Sequence, residues 1–212
     1  LYDLIDDQID KAQRGEEAYI RLKMNSISDK VLINRLAKAS QAGVKIEMMV
    51  RGVTCILPGI EGKTDNIEIY QVVGRFLEHH RIYQFGKTNP KIYISSADFM
   101  TRNIRNRMEV AVPIEDSRIK EYILDFIDIM FSDDVKMRKM DRSGFYKKVD
   151  NNKNINAQEV LMKKAIEAFE NVKNKNQSDK DININKKIDK KLQEKNKKNK
   201  SFISNLISIF KK

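Results

Sequence analysis

At 212 residues and 41% hydrophobic side chains, the chain can hold one ordinary domain plus a tail, which excludes wholesale disorder. Its net charge of +11 sits in the tail: residues 173–212 carry 13 Lys against 4 acidic groups, while the first 172 residues balance 28 basic against 26 acidic groups, so charge alone does not make the body a nucleic-acid binder. Cys55 is the only cysteine, which excludes an internal disulfide and a cysteine-based metal site and fits a reducing cytoplasm, and no apolar run reaches the roughly 20 residues of a membrane span.

In chain order, Leu1, Leu4, Ile5, Ile9 and Ala12 share one helical face, so the chain opens inside a helix. With no initiator Met and no visible signal peptide, the expectation is a fragment of a longer protein. Ala18–Met24 alternates as a strand. Ser28 or Asp29 can cap a helix carrying Leu32, Leu36 and Ala39, and Gly43 ends it. Val44–Val50 is the next strand, and a helical crossover between two strands implies that they pair in parallel. After a loop with Gly52, Pro58, Gly59 and Gly62, a strand is expected at Ile67–Val72. Arg81–Phe85 and Ile92–Ser95 read as an antiparallel pair, and Glu109–Ile114 as a further strand. Ile119, Tyr122, Ile123, Phe126, Ile127, Met130 and Phe131 mark an amphipathic helix, and a last helix is expected over Asn156–Val172. The expected fold is therefore α/β, a mixed sheet flanked by helices, over residues 1–172. A Lys/Asn-rich linker over 173–200 reads as disordered. A short helix over 201–212 has Phe202, Ile203, Leu206, Ile207 and Phe210 on one face, suited to docking on another domain or subunit, or to a membrane surface.

Three groups of residues could carry chemistry. His79 and His80 are the only histidines, and strand alternation would put His79, Arg81, Tyr83 and Phe85 on one face. An imidazole with a guanidinium two residues on suits phosphoryl chemistry, one group handling a proton or attacking phosphorus, the other holding phosphate oxygens. A surface histidine beside an arginine is the plainer reading. Arg51 follows a strand and precedes Gly52, where ligands gather in α/β sheets and a glycine lets a phosphate approach; alternatively it ends a strand and pairs with a carboxylate. Lys91, Ser95, Ser96, Asp98, Arg102, Asn103, Arg105 and Arg107 offer donors to a polyanion, or form a solvated face with Asp98 as a helix cap. No Walker loop, GxGxxG, paired-carboxylate or Ser-His-Asp pattern is present.

Three segments in order carry a resemblance: Ala42-Gly43-Val44-Lys45-Ile46 running into Val50-Arg51-Gly52, then Gly74-Arg75-Phe76-Leu77-Glu78-His79, then Lys91 through Asn103 with Ser95-Ser96-Ala97-Asp98 at its centre. Through these, and through Asp128–Asp133, the chain resembles the C-terminal domain of the long-chain polyphosphate kinases from about Leu1 to Val172. The resemblance implies half of a phospholipase D-like fold and a double displacement. In that reaction the γ-phosphoryl of ATP passes to a histidine on a preceding domain, absent here, and then to polyphosphate, with Mg²⁺ assisting. It implies that Arg51 and His79 bind ATP phosphates, His79 being the second essential histidine. Arg75, Arg81, Lys91, Ser95, Ser96, Arg102 and Asn103 become candidates for phosphate or polyphosphate, with no metal ligand in this piece. Expected partners are ATP or ADP, polyphosphate, the remaining domains of the parent and further copies of the chain, in the cytoplasm or at a membrane surface, with no specific nucleic acid. The fragment alone is expected to be inactive. Rival readings are a phospholipase D-like phosphodiesterase or nuclease half, which would want Lys at Arg81, and a non-catalytic polyanion-binding module resting on the Lys-rich tail.

Overall fold

Helix and strand periodicities alternate along the first fifty residues, and the chain folds accordingly into α1 (Tyr2–Gln13), β1 (Tyr19–Met24), α2 (Lys30–Gln41) and β2 (Lys45–Val50). The computed structural model describes residues 1–149 and 152–173. Residues 1–161 form one unit; the described part of a second unit, residues 162–173, is helical. The start of α2 is fixed by Asp29, a buried residue whose Oδ1 accepts from the N–H groups of Val31 and Leu32 at 3.0 Å each, a cap worth about 1 kcal/mol. Its end is set by Gly43, whose φ of +99° few other residues adopt.

The chain continues through β3 (Ile67–Val72), β4 (Ile82–Phe85), β5 (Lys91–Ser95), α3 (Thr101–Arg105), β6 (Ala111–Pro113), α4 (Ser117–Phe131), β7 (Met137–Met140) and β8 (Tyr146–Lys148). The sheet order is β6-β5-β4-β1-β2-β3-β7-β8. The β1, β2 and β3 strands pair in parallel; every other pairing is antiparallel. Alternation along the strands sends Ile20, Leu22, Met24, Ile46, Met48, Val50, Tyr83 and Phe85 to one face, where Ile5 of α1 and Leu32, Leu36 and Ala39 of α2 close the core. Met49, Val72, Ile82 and Ile92 point to the other face, against Ile123, Ile127 and Met130 of α4. Each such side chain contributes on the order of 1.5–3 kcal/mol by leaving water.

Two expectations need correction, and one element is an addition. The strand expected over Glu109–Ile114 is only Ala111–Pro113, an exposed sheet edge that includes Pro113. Ile119 and Tyr122 of α4 are 51% and 70% exposed, because nothing among the described residues covers that part of the apolar stripe. The β7–β8 hairpin was not expected: Met137 and Met140 are buried with two exposed residues between them, so no alternation marks the strand. Its turn is built by Asp141, which accepts from Ser143 and Phe145 N–H, and by Gly144 at a φ of +86°. Residues 157–173 are helical, close to the expected Asn156–Val172. The linker beyond Lys173 and the helix expected over 201–212 lie outside the described residues. No helix among the described residues is long and apolar enough to cross a membrane.

Strand direction places the site. With β1, β2 and β5 pointing one way and β4 the other, the carboxyl ends of the first three and the start of β4 gather at one end of the sheet; Met24 lies opposite Val50, Lys23 opposite Ile82, and Ile82 opposite Ile94. Open α/β sheets bind ligands at this end.

Candidate functional site

Arg51 stands directly after β2. Its Nε donates to Asn25 Oδ1 at 3.0 Å, and Gln71 Nε2 donates to its carbonyl at 2.6 Å. Its Nη2 lies 3.2 Å from His79 Nδ1, on the loop of residues 73–81 between β3 and β4. A guanidinium only donates, so Nδ1 accepts and the neutral ring carries its proton on Nε2. His79 is exposed while Arg51 is half-buried. Together they present a donor edge and an imidazole nitrogen at the rim of the sheet.

Gly52 has a different part from the one expected. A Cβ there would lie 3.0 Å from the carbonyl oxygen of Asn25, and the Gly52 N–H donates to that same oxygen at 2.7 Å. The glycine lets the loops after β1 and β2 pack together, which seats Asn25 under Arg51.

The base of the site is a buried ion pair. Arg81 Nη2 donates to Asp98 Oδ2 at 2.9 Å and Nε to Oδ1 at 3.3 Å, with the side chains 15% and 8% exposed. Asp98 also accepts from the N–H groups of Asn25 and Ser26, at 2.7 and 3.3 Å. Burial works to raise the Asp98 pKa, but the hydrogen bonds from Arg81 and these N–H groups outweigh it, and the carboxyl lies below its usual range. Asp98 caps no helix; α3 begins after Met100. The remaining Arg81 nitrogen, Nη1, donates to the carbonyl of His79 at 3.0 Å. Arg81 thus fixes the backbone of the histidine instead of sharing its outer face.

Beneath the loop lies Lys23 of β1, 1% exposed, with its Nζ 3.4 Å from Glu78 Oε2. Burial pushes its pKa down, and the Glu78 carboxylate partly offsets this. His80 turns inward: its Nε2 is 3.1 Å from Met130 Sδ and its ring stands edge-on to Phe126. Burial, reinforced by the charges of Lys23 and Arg81, pushes the His80 pKa down to about 4. The two adjacent histidines therefore differ completely in environment.

The other candidates divide. Arg75 is exposed on the same loop, its guanidinium 5.3 Å from the centre of the Phe76 ring. Arg102 is exposed on α3. Ser95 Oγ donates to the Val110 carbonyl at 3.1 Å; Ser96 Oγ and Asn103 Nδ2 both donate to Glu109. Asn103 is buried. Lys91 is not brought to the cluster: it begins β5, opposite Phe85, and its Nζ lies 4.0 Å from Asp7 at the far end of the strand. Asn25, Lys23 and Glu78 were missed by sequence reasoning. Lys23 offered a signal, a charged residue at the inner end of a central strand.

Two concavities lie elsewhere and contain neither Arg51 nor His79. One of about 370 Å³ is lined by Glu17, Tyr19, Arg21, Lys45, Glu47 and Lys87, and one of about 190 Å³ includes Leu4, Tyr83, Tyr93 and Ala111. The Arg51–His79 cluster is an open rim.

Residues 1–160 match the family model for polyphosphate kinase C-terminal domain 2. The chain belongs to the polyphosphate kinase family. The polyphosphate kinase of Staphylococcus haemolyticus strain JCSC1435 is 44% identical over 173 residues, 81% of this chain and 24% of that protein. That of Yersinia pestis is 50% identical over 143 residues, 67% of this chain and 21% of that protein. The crystal structure of polyphosphate kinase from Porphyromonas gingivalis superposes with a TM-score of 0.75 at 35% identity, covering 80% of this chain and 26% of that one. The chain spans about a quarter of the length of the polyphosphate kinases it matches.

Proposed function

We propose that residues 1–172 form a catalytic domain of a polyphosphate kinase that reversibly moves the γ-phosphate of ATP to inorganic polyphosphate. The observation that carries this reading is the 3.2 Å approach of Arg51 Nη2 to His79 Nδ1, on two family segments, at the ligand-binding end of the sheet. Arg51 keeps Nη1 without a partner among the described residues, which leaves a donor for a phosphate oxygen. The Nε2–H of His79 can donate to the transferring phosphoryl group. Phosphoryl transfer depends mainly on positioning and on stabilising charge spread over the phosphate oxygens, which suits a guanidinium beside an imidazole.

The open rim fits a site completed by another part of a longer chain, where a phosphohistidine intermediate would divide one hard transfer into two easier ones. His80 is unsuited to that part, since it is half-buried and turned inward against Met130 and Phe126. The carboxylates of the cluster do not fit a Mg²⁺ site: Asp98 is held by Arg81 and two N–H groups, and Glu78 by Lys23 and Gln158. No described residue is assigned to Mg²⁺, which would enter with the ATP phosphates. Exposed Arg75 and Arg102 remain proposed contacts for polyphosphate. Arg81, Ser95, Ser96 and Asn103 are left out because their side-chain donors bind protein, and Lys91 because of its position. Oligomer formation, cytoplasmic location and a membrane-surface role for residues 201–212 rest on sequence alone.

The test is polyphosphate formation from ATP and Mg²⁺ by the full-length parent. Synthesis is expected. Cleavage of phosphodiesters with no polyphosphate made would favour the phospholipase D-like rival.

A further inference from the structure

The loop of residues 73–81 has to hold His79 beside Arg51, yet it has little means of holding itself. Val73 and Leu77 are 68% and 74% exposed, and among the described residues no backbone hydrogen bond joins residues 73–80 to the rest of the chain or to one another. The loop is fixed by side chains that reach it from elsewhere. Gln158 takes both backbone groups of Phe76, its Oε1 accepting from the N–H at 2.8 Å and its Nε2 donating to the carbonyl at 3.0 Å. The same Nε2 donates to Glu78 Oε1 at 2.8 Å. The other oxygen of Glu78 faces Lys23, and this carboxylate is only 10% exposed although His79, the next residue, is exposed. At Gly74 a Cβ would lie 2.5 Å from Gln158 Oε1, so the loop lies tightly on that side chain.

Gln158 is itself fixed. It is 7% exposed, and the preceding Ala157 N–H donates at 2.8 Å to Asp133, which is fully buried. Asp133 also accepts from the Lys136 and Met137 N–H groups, at 2.6 and 2.9 Å. A rigid anchor therefore reads the loop three residues and one residue before His79.

We infer that Glu78, clasped between Lys23 and Gln158, is a positioning residue that sets His79 against Arg51, with Gln158 and Lys23 acting through it. This deepens the reading of Arg51 and His79 as ligands of the ATP phosphates, and it rests on that reading. None of the three touches substrate in this account. Their effect is on the distance between two groups that must bind one phosphate chain together, where a displacement of about 1 Å can cost up to a hundredfold.

The experiment uses the full-length parent and compares Gln158→Ala, the double variant Lys23→Met/Glu78→Ala, and His79→Ala. The double variant removes both charges, so no buried ammonium is left without a partner; Gln158→Ala leaves the ion pair in place. KM for ATP, kcat and melting temperature are measured for each. The expected result is a KM for ATP raised about tenfold or more in the first two variants, with the melting temperature of Gln158→Ala close to that of the parent, and no synthesis by His79→Ala. If His79→Ala is inactive while the other two keep the parental KM, the inference is overturned and the ATP-site reading stands. A fall in kcat that follows the melting temperature at unchanged KM also overturns it, since that is loss of folded protein. Normal synthesis by His79→Ala removes the underlying reading and the inference with it.

Discussion

The loop of residues 73–81 and the segment of residues 95–109 leave the same end of the sheet, and both are rich in polar and basic side chains. They use them in opposite ways. In the segment, Ser95 donates to the Val110 carbonyl, and Ser96 and Asn103 converge on Glu109. In the loop, Asn25 and Gln158 hold the backbone from outside and Arg81 holds it at the loop's own end, and His79 is left exposed beside Arg51. A dense run of phosphate-type residues is therefore not the better candidate. The better one is the place where other elements satisfy the framework and leave a donor edge open.

The comparison breaks most severely at its shared base. Asp98→Ala should cost roughly 3–5 kcal/mol in a denaturant titration, because it leaves Arg81 and two N–H groups buried without their acceptor. A loss well under 1 kcal/mol would mean that the pair does not hold the loop. The contrast between His79 and His80 can be sharpened by pH. His80 folds neutral, with its pKa lowered from 6.5 to about 4, so protonation favours the unfolded chain. Its contribution is complete above pH 6.5 and is lost as the pH falls toward 4, about 3 kcal/mol in all. His80→Leu should flatten that part of the stability–pH curve; an unchanged slope would place the titration elsewhere. Gly52→Ala should destabilise by about 1–3 kcal/mol, through the contact with Asn25 that a Cβ would force. The smallest effects belong to the segment and the far end of the sheet. Ser96→Ala should cost about 1 kcal/mol, and Lys91→Ala should leave polyphosphate synthesis unchanged; reduced synthesis would bring that end of β5 into the reaction.

Much of the fold was legible because strong periodicities coincide with local stop signals. Asp29 and Gly43 bound α2 as expected, and two apolar strands around a helix fix the parallel β1–β2 pair that brings Arg51 to its place. The β7–β8 hairpin was not legible, since Met137 and Met140 are spaced by two and its turn depends on side chain-to-backbone bonds of Asp141. Arg51 and His79 could be picked from family segments, but their contact is a tertiary fact, 28 residues apart. Asp98 shows the limit most clearly. As a sequence feature it reads as a helix cap; only the meeting of β1, β4 and β5 makes it the acceptor for Arg81 and Asn25. Gln158 is 82 residues from Phe76 and carries no local mark of its task.

The central claim is that this domain supplies an ATP-phosphate site through His79 and Arg51. Its most direct test is the incorporation of γ-labelled ATP into polyphosphate by the full-length parent, with and without His79→Ala, both checked for equal melting temperature. The account predicts incorporation by the parent and none above background by the variant. Incorporation by His79→Ala at the parental rate would contradict it.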